Sequence, residues 1–395
     1  MTGYFPPSRQ LERLPQQFFA KLVKQTQAKA ATGADIINLG QGNPDLPTPP
    51  AVVERLQEAA EHPKFHKYSP FQGYPFLKQA AARFYEREYG VTLDPETEIA
   101  ILPGAKTGLV ELSQCLLNPG DTALLPDPGY PDYLSGTAIA GAEAVRMPLL
   151  RGNGFLPDLG MLGSDLLSRA KLMFLNYPNN PTGAGADEAF FQDTVRTAAA
   201  NNICVCHDFA YGAIGFDEKK PPSFLQTPGA KDVGIEVYTL SKTFNMAGWR
   251  VAFAAGNASV ISHLNLIQDH YFVSLFGAVQ SAAATALDDG ADDVEALRQT
   301  YQSRRKALMD ALAGIGWEAD APDGSFFAWL PVPDGWSSEA FAEELLESAH
   351  VVTAPGAGFG EYGEGYVRAA LLTSEDRLRE AVERIGRLGL FKENE

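Results

Sequence analysis

Two textures of apolar and polar positions divide the chain. Up to residue 98 the apolar positions mostly recur at helical spacing. Residues 14–31 read as an amphipathic helix that stops at Gly33, and a short apolar run at 36–39 follows. Residues 40–50 are too rich in Gly and Pro for a regular element. Helical patterns resume at 51–61 and 75–89, where Pro75 suits an early helical position and Gly90 a stop.

From residue 99 short apolar runs alternate with helical stretches. The runs are 99–102, 122–125, 144–147, 171–176, 203–206, 236–240 and 251–255. Such runs predict an α/β fold: a mixed or parallel sheet covered on both faces. An open sheet of this kind places its ligand at the carboxyl ends of its strands. Beyond a helical stretch at 276–287 and a long charged helix at 292–312, the pattern shifts to strand 326–330, helix 338–350, strand 366–371 and helix 375–388. This predicts a smaller α+β domain that recruits the N-terminal segment. The expected division is 1–46 with the small domain, 47–290 as the large domain and 291–395 as the small C-terminal domain.

Composition removes several functions. Of 395 residues, 32 are Lys or Arg and 49 Asp or Glu, a formal charge of −17. That excess of acid opposes the counterion displacement on which nucleic-acid binding depends. Apolar residues make up 45% and aromatic ones 10%, ample for a packed core. No run approaches the ~20 apolar residues of a membrane span, and the start of the chain lacks the pattern of a secretory signal. The expectation is a soluble, cytoplasmic protein. Cys115, Cys204 and Cys206 cannot build a disulfide framework, and Cys204 and Cys206 read as buried structural thiols in a strand. The six histidines show no ligand spacing, so no metal is expected.

Two glycine-rich segments suggest phosphate chemistry. Gly104-Ala-Lys-Thr-Gly108 lies between a strand and a helix, where free backbone N–H groups form an anion site. It lacks the glycine spacing of a P-loop. Gly358-Phe-Gly-Glu-Tyr-Gly363 satisfies G-x-G-x-x-G but leads into a strand, so it fails the context a dinucleotide fingerprint requires.

Three further segments begin where apolar runs end: Tyr177-Pro-Asn-Asn-Pro-Thr-Gly183, His207-Asp-Phe-Ala-Tyr211 and Ser241-Lys-Thr-Phe-Asn-Met-Ala-Gly-Trp-Arg250. Taken singly, they could be a turn, a helix cap and a surface amine. Together they describe one chemistry. A desolvated lysine has a lowered pKa and can form a Schiff base with an aldehyde. A carboxylate facing a pyridine nitrogen keeps it protonated, and the ring becomes an electron sink. An arginine eight residues beyond the lysine can pair with a phosphate. These are the parts of a pyridoxal-phosphate site.

On those motifs the chain resembles the class I/II aminotransferases of fold type I from about residue 10 to 390. The resemblance implies a large domain with a mostly parallel seven-stranded sheet flanked by helices, plus a smaller α+β domain. It implies that Lys242 bonds the cofactor aldehyde and later shuttles the proton. Asp208 would pair with the pyridinium nitrogen, while Tyr211 and Asn180 would contact the ring's O3′. Ala105 and Lys106 would bind the phosphate, with Arg250, Ser241 and Thr239 completing its cradle. Tyr130, in Pro128-Gly-Tyr-Pro-Asp-Tyr133, would stack on the ring. Arg368 would clamp the substrate α-carboxylate, assisted by Asn180 and with Gly42 closing over the same group. Tyr68, in His66-Lys-Tyr-Ser-Pro, would reach the phosphate of a neighbouring subunit, which implies a homodimer with shared sites. Phe209 replaces an acid found in many relatives, predicting a less polar wall beside the ring.

The implied reaction moves an amino group between an L-amino acid and a 2-oxo acid in two half-reactions. Residues 251–297 contain no Lys or Arg, where enzymes for dicarboxylic substrates often carry a second arginine, so aspartate specialisation is disfavoured. Leu14-Pro-Gln-Gln-Phe-Phe, Ile37-Asn-Leu-Gly-Gln-Gly-Asn-Pro-Asp and the motifs above are similar to those of bacterial methionine-salvage aminotransferases, which act on 4-methylthio-2-oxobutanoate. An LL-diaminopimelate, alanine or aspartate type of aminotransferase, or a β-lyase cleaving C–S bonds, stays open. A non-catalytic effector module of a transcription factor is the weaker rival.

Overall fold

The computed structural model describes residues 5–15 and 18–391. The twelve strands among these described residues, in chain order, are β1 (Ile37–Asn38), β2 (Ile99–Leu102), β3 (Thr122–Asp127), β4 (Glu143–Pro148), β5 (Ala170–Leu175), β6 (Cys204–Asp208), β7 (Gly234–Thr239), β8 (Ala252–Gly256), β9 (Phe327–Pro331), β10 (Val351–Val352), β11 (Ala354–Pro355) and β12 (Tyr366–Ala370).

Each of the seven apolar runs becomes a strand of one sheet, in the order β2-β8-β7-β6-β5-β3-β4. β8 runs antiparallel to both its neighbours, and the remaining pairings are parallel. Adjacent side chains of a strand face opposite sides, so a sheet covered twice needs continuous apolar runs. In β7, Val237 packs with Leu109, Leu112, Phe174 and Leu264 on one face, whereas Tyr238 packs with Phe84, Tyr85 and Phe253 on the other. Cys206 is buried in the first of these layers with Cys204 at its margin, and burial pushes the Cys204 thiol up to about 12.

Helix Pro75–Tyr89 illustrates the local logic. Pro75 opens it, and Gly90 takes φ 65°, sending its N–H back to the carbonyls of Glu86 and Tyr85. The amphipathic N-terminal pattern appears as helix Phe18–Ala30, preceded by the short helix Arg9–Glu12; Gln16 and Gln17 lie outside the described residues.

A second core joins β9 and β12 to helices Ala291–Gly314, Ser338–Ser348 and Glu375–Gly386. β11, β12 and β9 form an antiparallel sheet. The N-terminal strand β1 pairs in parallel with β10, Ile37 opposite Val351, and Ile37 and Leu39 belong to this second core. The segment after β1 therefore returns to the carboxyl ends of the large sheet.

Candidate active site

The loops after β2, β5, β6 and β7 converge with residues 38–43 and β12 around a cavity of about 600 Å³. Of the residues singled out in the sequence, Gly42, Ala105, Lys106, Tyr130, Asn180, Asp208, Tyr211, Thr239, Ser241, Lys242, Arg250 and Arg368 all line it. Tyr68 does not. It stands 91% exposed on a separate groove with Phe65, Leu275 and Phe276.

Lys242 follows directly from β7 in the short helix Leu240–Thr243, which Thr239 caps by accepting from the Ser241 N–H. Its Nζ donates to the Gly42 carbonyl at 2.9 Å and lies 5.4 Å from the Phe326 ring centre. Burial, with repulsion from Arg368 and Arg250 and against the pull of Asp208, lowers its pKa to about 8. The amine is thus poised near neutrality.

Asp208 ends β6 and is 5% exposed. Burial raises its pKa to about 6, against the hydrogen bond from Tyr133. That bond runs from the Tyr133 hydroxyl to Oδ2 at 2.9 Å. The other oxygen, Oδ1, is buried and finds no hydrogen-bond partner among the described residues. A buried acceptor left open in this way is costly unless a ligand completes it. The strand end is anchored from behind: His207 faces away from the cavity, accepts from the Tyr177 N–H and lies 2.7 Å from Glu236. Glu236 in turn accepts from Tyr85, Ser223 and the Phe224 N–H.

The expected anion cradle opens helix Ala105–Leu116. Gly104, at φ 94°, precedes it and no side chain caps the first turn. Unsatisfied N–H groups at such a terminus attract anions. A Cβ on Gly104 would fall 2.3 Å from Arg250 Nη2, so only glycine lets the guanidinium sit there. Arg250 itself adopts φ 58° and donates to the Ala247 carbonyl. The Lys106 side chain turns to Asp132 at 3.0 Å, so what this residue offers at the helix start is its backbone N–H.

At the opposite end Arg368 is 4% exposed. It donates to Asn180 Oδ1 at 2.8 Å and to the Gly40 carbonyl at 3.0 Å. Its guanidinium lies 3.9 Å from the Phe327 ring centre and 4.7 Å from that of Phe359. Burial lowers its pKa to about 10, leaving it charged at neutral pH.

Phe209 corrects one expectation. It is fully buried against Tyr89, His207 and Tyr238 and is not part of the cavity wall. Following Asp208, it faces the other way, so its apolar character says nothing about the ring's surroundings. The Gly358–Gly363 motif forms two short turns, Gly356–Phe359 and Glu361–Gly363, and opens no α-helix. Sequence reasoning missed Asn176, Phe327 and Phe359, together with Leu22, Val23 and Thr26, which helix Phe18–Ala30 brings to the cavity. It also missed Tyr133 as a partner of Asp208; the second tyrosine of Tyr130-Pro-Asp-Tyr133, one helical turn beyond the first, was the available signal.

The family model for aminotransferase class I and II matches residues 34–385. The chain belongs to this family. This aminotransferase is 62% identical, over 98% of its length and 97% of the relative's, to the L-glutamine–4-(methylsulfanyl)-2-oxobutanoate aminotransferase of Bacillus subtilis. It is 46% identical to the LL-diaminopimelate aminotransferase of Moorella thermoacetica, over 96% of its length and 98% of that relative's. The substrate-bound BacF structure from Bacillus subtilis superposes on the aminotransferase with a TM-score of 0.95 at 51% identity, covering 98% of this chain and 99% of that one.

Proposed function

We propose that the cavity binds pyridoxal 5′-phosphate and that the enzyme transfers an amino group from an L-amino acid to a neutral 2-oxo acid, 4-(methylsulfanyl)-2-oxobutanoate foremost. The observation that carries this reading is the placement of Lys242: an amine of lowered pKa between the open oxygen of Asp208 and the guanidinium of Arg368. The residues fit the cofactor. Asp208 Oδ1 is an acceptor awaiting a ring N–H, and the uncapped helix start beside Arg250 suits a phosphate.

When bound, the cofactor supplies an aldehyde and a ring that accepts the electrons of the breaking Cα–H bond. In this reading Lys242 holds the aldehyde, takes the proton from the substrate α-carbon and returns it on the far side of the transfer. Tyr133 keeps Asp208 oriented, and Tyr130 would stack on the ring. Tyr211 and Asn180 would reach O3′; with its Oδ1 accepting from Arg368, Asn180 would donate through Nδ2. Ala105 and Lys106 N–H groups, Thr239, Ser241 and Arg250 would hold the phosphate. Arg368 would take the α-carboxylate beneath Gly42, whose Cα side has Phe327 and Arg368 as neighbours.

The substrate preference is supported by the cavity's inventory. Among the described residues its cations are Lys106, Lys242, Arg250 and Arg368, each already assigned, and helix Phe18–Ala30 adds Leu22 and Val23 to the lining. A second carboxylate on the substrate would find no unassigned cation among these residues, whereas a thioether chain would lose water against apolar walls. The relative at 62% identity is named for the same 2-oxo acid.

Exposed Tyr68, Phe71, Tyr271, Phe272 and Phe276 support a homodimer in which Tyr68 enters the partner's site. The division at residues 46 and 290 is part of the same reading, supported by the pairing of β1 with β10. So is a cytoplasmic location, in keeping with three free thiols.

The test is a matrix of amino donors, glutamine and methionine included, against 2-oxo acids. Lys242→Ala should lose turnover and the absorbance of the lysine-bound cofactor while remaining folded. Normal activity in that variant contradicts the reading. Release of ammonia and pyruvate from cystathionine without an acceptor would point to a lyase, and preference for LL-diaminopimelate to the second relative's chemistry.

A further inference from the structure

The turns 356–363 cross from the small antiparallel sheet to the end of β3, and one carboxylate receives them. Asp127, fully buried as the last residue of β3, accepts from the Glu361 N–H at 3.1 Å and the Tyr362 N–H at 3.0 Å. Arg146 on β4 donates to the same carboxylate at 2.5 Å and balances its charge. Two residues on, the Gly129 N–H donates to the Phe359 carbonyl at 2.9 Å. Gly360, at φ 139°, has no room for a side chain: a Cβ would fall 2.0 Å from Asp127 Oδ1. The glycine that made this segment look like a nucleotide fingerprint is there to admit a carboxylate.

Two walls of the cavity meet at this point. Asp127 is followed by Pro128-Gly129-Tyr130, the segment that brings Tyr130 to the cavity. Phe359, on the other side of the clasp, both lines the cavity and packs its ring 4.7 Å from the Arg368 guanidinium, which Phe327 also contacts. A guanidinium packed against two rings and desolvated recognises a carboxylate far better than one free to turn in water. Fixing Phe359 therefore fixes the clamp.

We propose that Asp127 is a positioning residue for α-carboxylate recognition, acting through the 356–363 turns and Phe359 on Arg368. It touches neither substrate nor cofactor. This inference rests on the carboxylate role proposed for Arg368.

The test uses the full-length enzyme with cofactor. Asp127→Asn keeps the volume but replaces one acceptor oxygen by a donor, leaving a loop N–H or Arg146 unsatisfied. It should raise KM for the amino donor about tenfold, the cost of one charge-assisted hydrogen bond, with kcat changed less than threefold. The inhibition constant of 4-methylpentanoate, a carboxylate without an amine, should rise in parallel, and the cofactor's absorbance should stay as in the wild type. Gly360→Ala approaches the same contact from the other side and should give the same pattern, which keeps the test open if Asp127→Asn does not fold. In the apoprotein, hydrogen exchange at Glu361 and Tyr362 should accelerate in both variants. Unchanged KM and inhibition constants in folded variants with faster exchange would overturn the proposal and leave Asp127 a merely structural residue. If Arg368→Ala in an otherwise active enzyme leaves 4-methylpentanoate binding intact, the Arg368 assignment fails, independently of the clasp.

Discussion

Two arginines face the same cavity and are built in opposite ways. Arg250 is exposed, sits in a left-handed backbone conformation and has an uncapped helix start beside it. Arg368 is buried, hydrogen-bonded to Asn180 and Gly40, and packed against Phe327 and Phe359. The contrast follows from what each is proposed to hold. A phosphate that stays bound can be gathered by many modest donors: helix N–H groups, two hydroxyls and a solvated arginine. A carboxylate that arrives and leaves in every turnover needs one strong, prepaid contact, and a low-dielectric surrounding makes a single guanidinium sufficient.

The contrast breaks first at Arg368. Arg368→Ala should lower kcat/KM by about a thousandfold or more, since it removes a desolvated ion pair with substrate while leaving cofactor retention unchanged. Steady-state kinetics beside equilibrium dialysis of the cofactor separates the two effects. Arg250→Ala should do the reverse on a smaller scale, weakening cofactor affinity about 10–100-fold and leaving KM at saturating cofactor nearly constant. Added salt should mimic Arg250→Ala more than Arg368→Ala, because the exposed site is screened. Lys106→Ala is the control and should leave both constants nearly unchanged: its half-exposed side chain pairs with Asp132, and the phosphate contact proposed for it is a backbone N–H.

The titrations between the two arginines give the smallest effect. Lys242, held down to about 8 by burial and by the two arginines, is protonated less readily in the fold than in the unfolded chain. The unfolded state thus binds more protons, and apoprotein stability gains from this residue as pH rises from about 8 to the ordinary lysine range. Asp208, pushed up to about 6 by burial, binds its proton more tightly in the fold, so its contribution falls as pH rises from about 4 to 6. Thermal midpoints of the apoprotein against pH, with Lys242→Met and Asp208→Asn as controls, check both signs.

Much of this was legible in the residues. Asn180, Asp208 and Lys242 each lie at or just beyond the carboxyl end of an apolar run, and chain continuity alone delivers them to one edge of the sheet. Gly104 and Arg250 were legible as types, though not as neighbours in contact. What escaped were residues whose meaning depends on a partner distant in sequence. Tyr133 reaches Asp208 from 75 residues away, and Asp127 meets Glu361 across 234. An acid closing a buried strand was the one visible hint of that clasp, because such a group must find donors. Phe209 shows the converse: its neighbour in sequence was informative, but the backbone turned it to the other side of the sheet.

The central claim concerns which 2-oxo acid accepts the amino group. Enzyme first converted to its amino-bearing cofactor form can be mixed, in a single turnover, with 4-(methylsulfanyl)-2-oxobutanoate, with 2-oxoglutarate and with the 2-oxo acid of LL-diaminopimelate. The account predicts that the first restores the lysine-bound absorbance fastest and yields one methionine per site. Faster restoration by 2-oxoglutarate or by the diaminopimelate acceptor would contradict it.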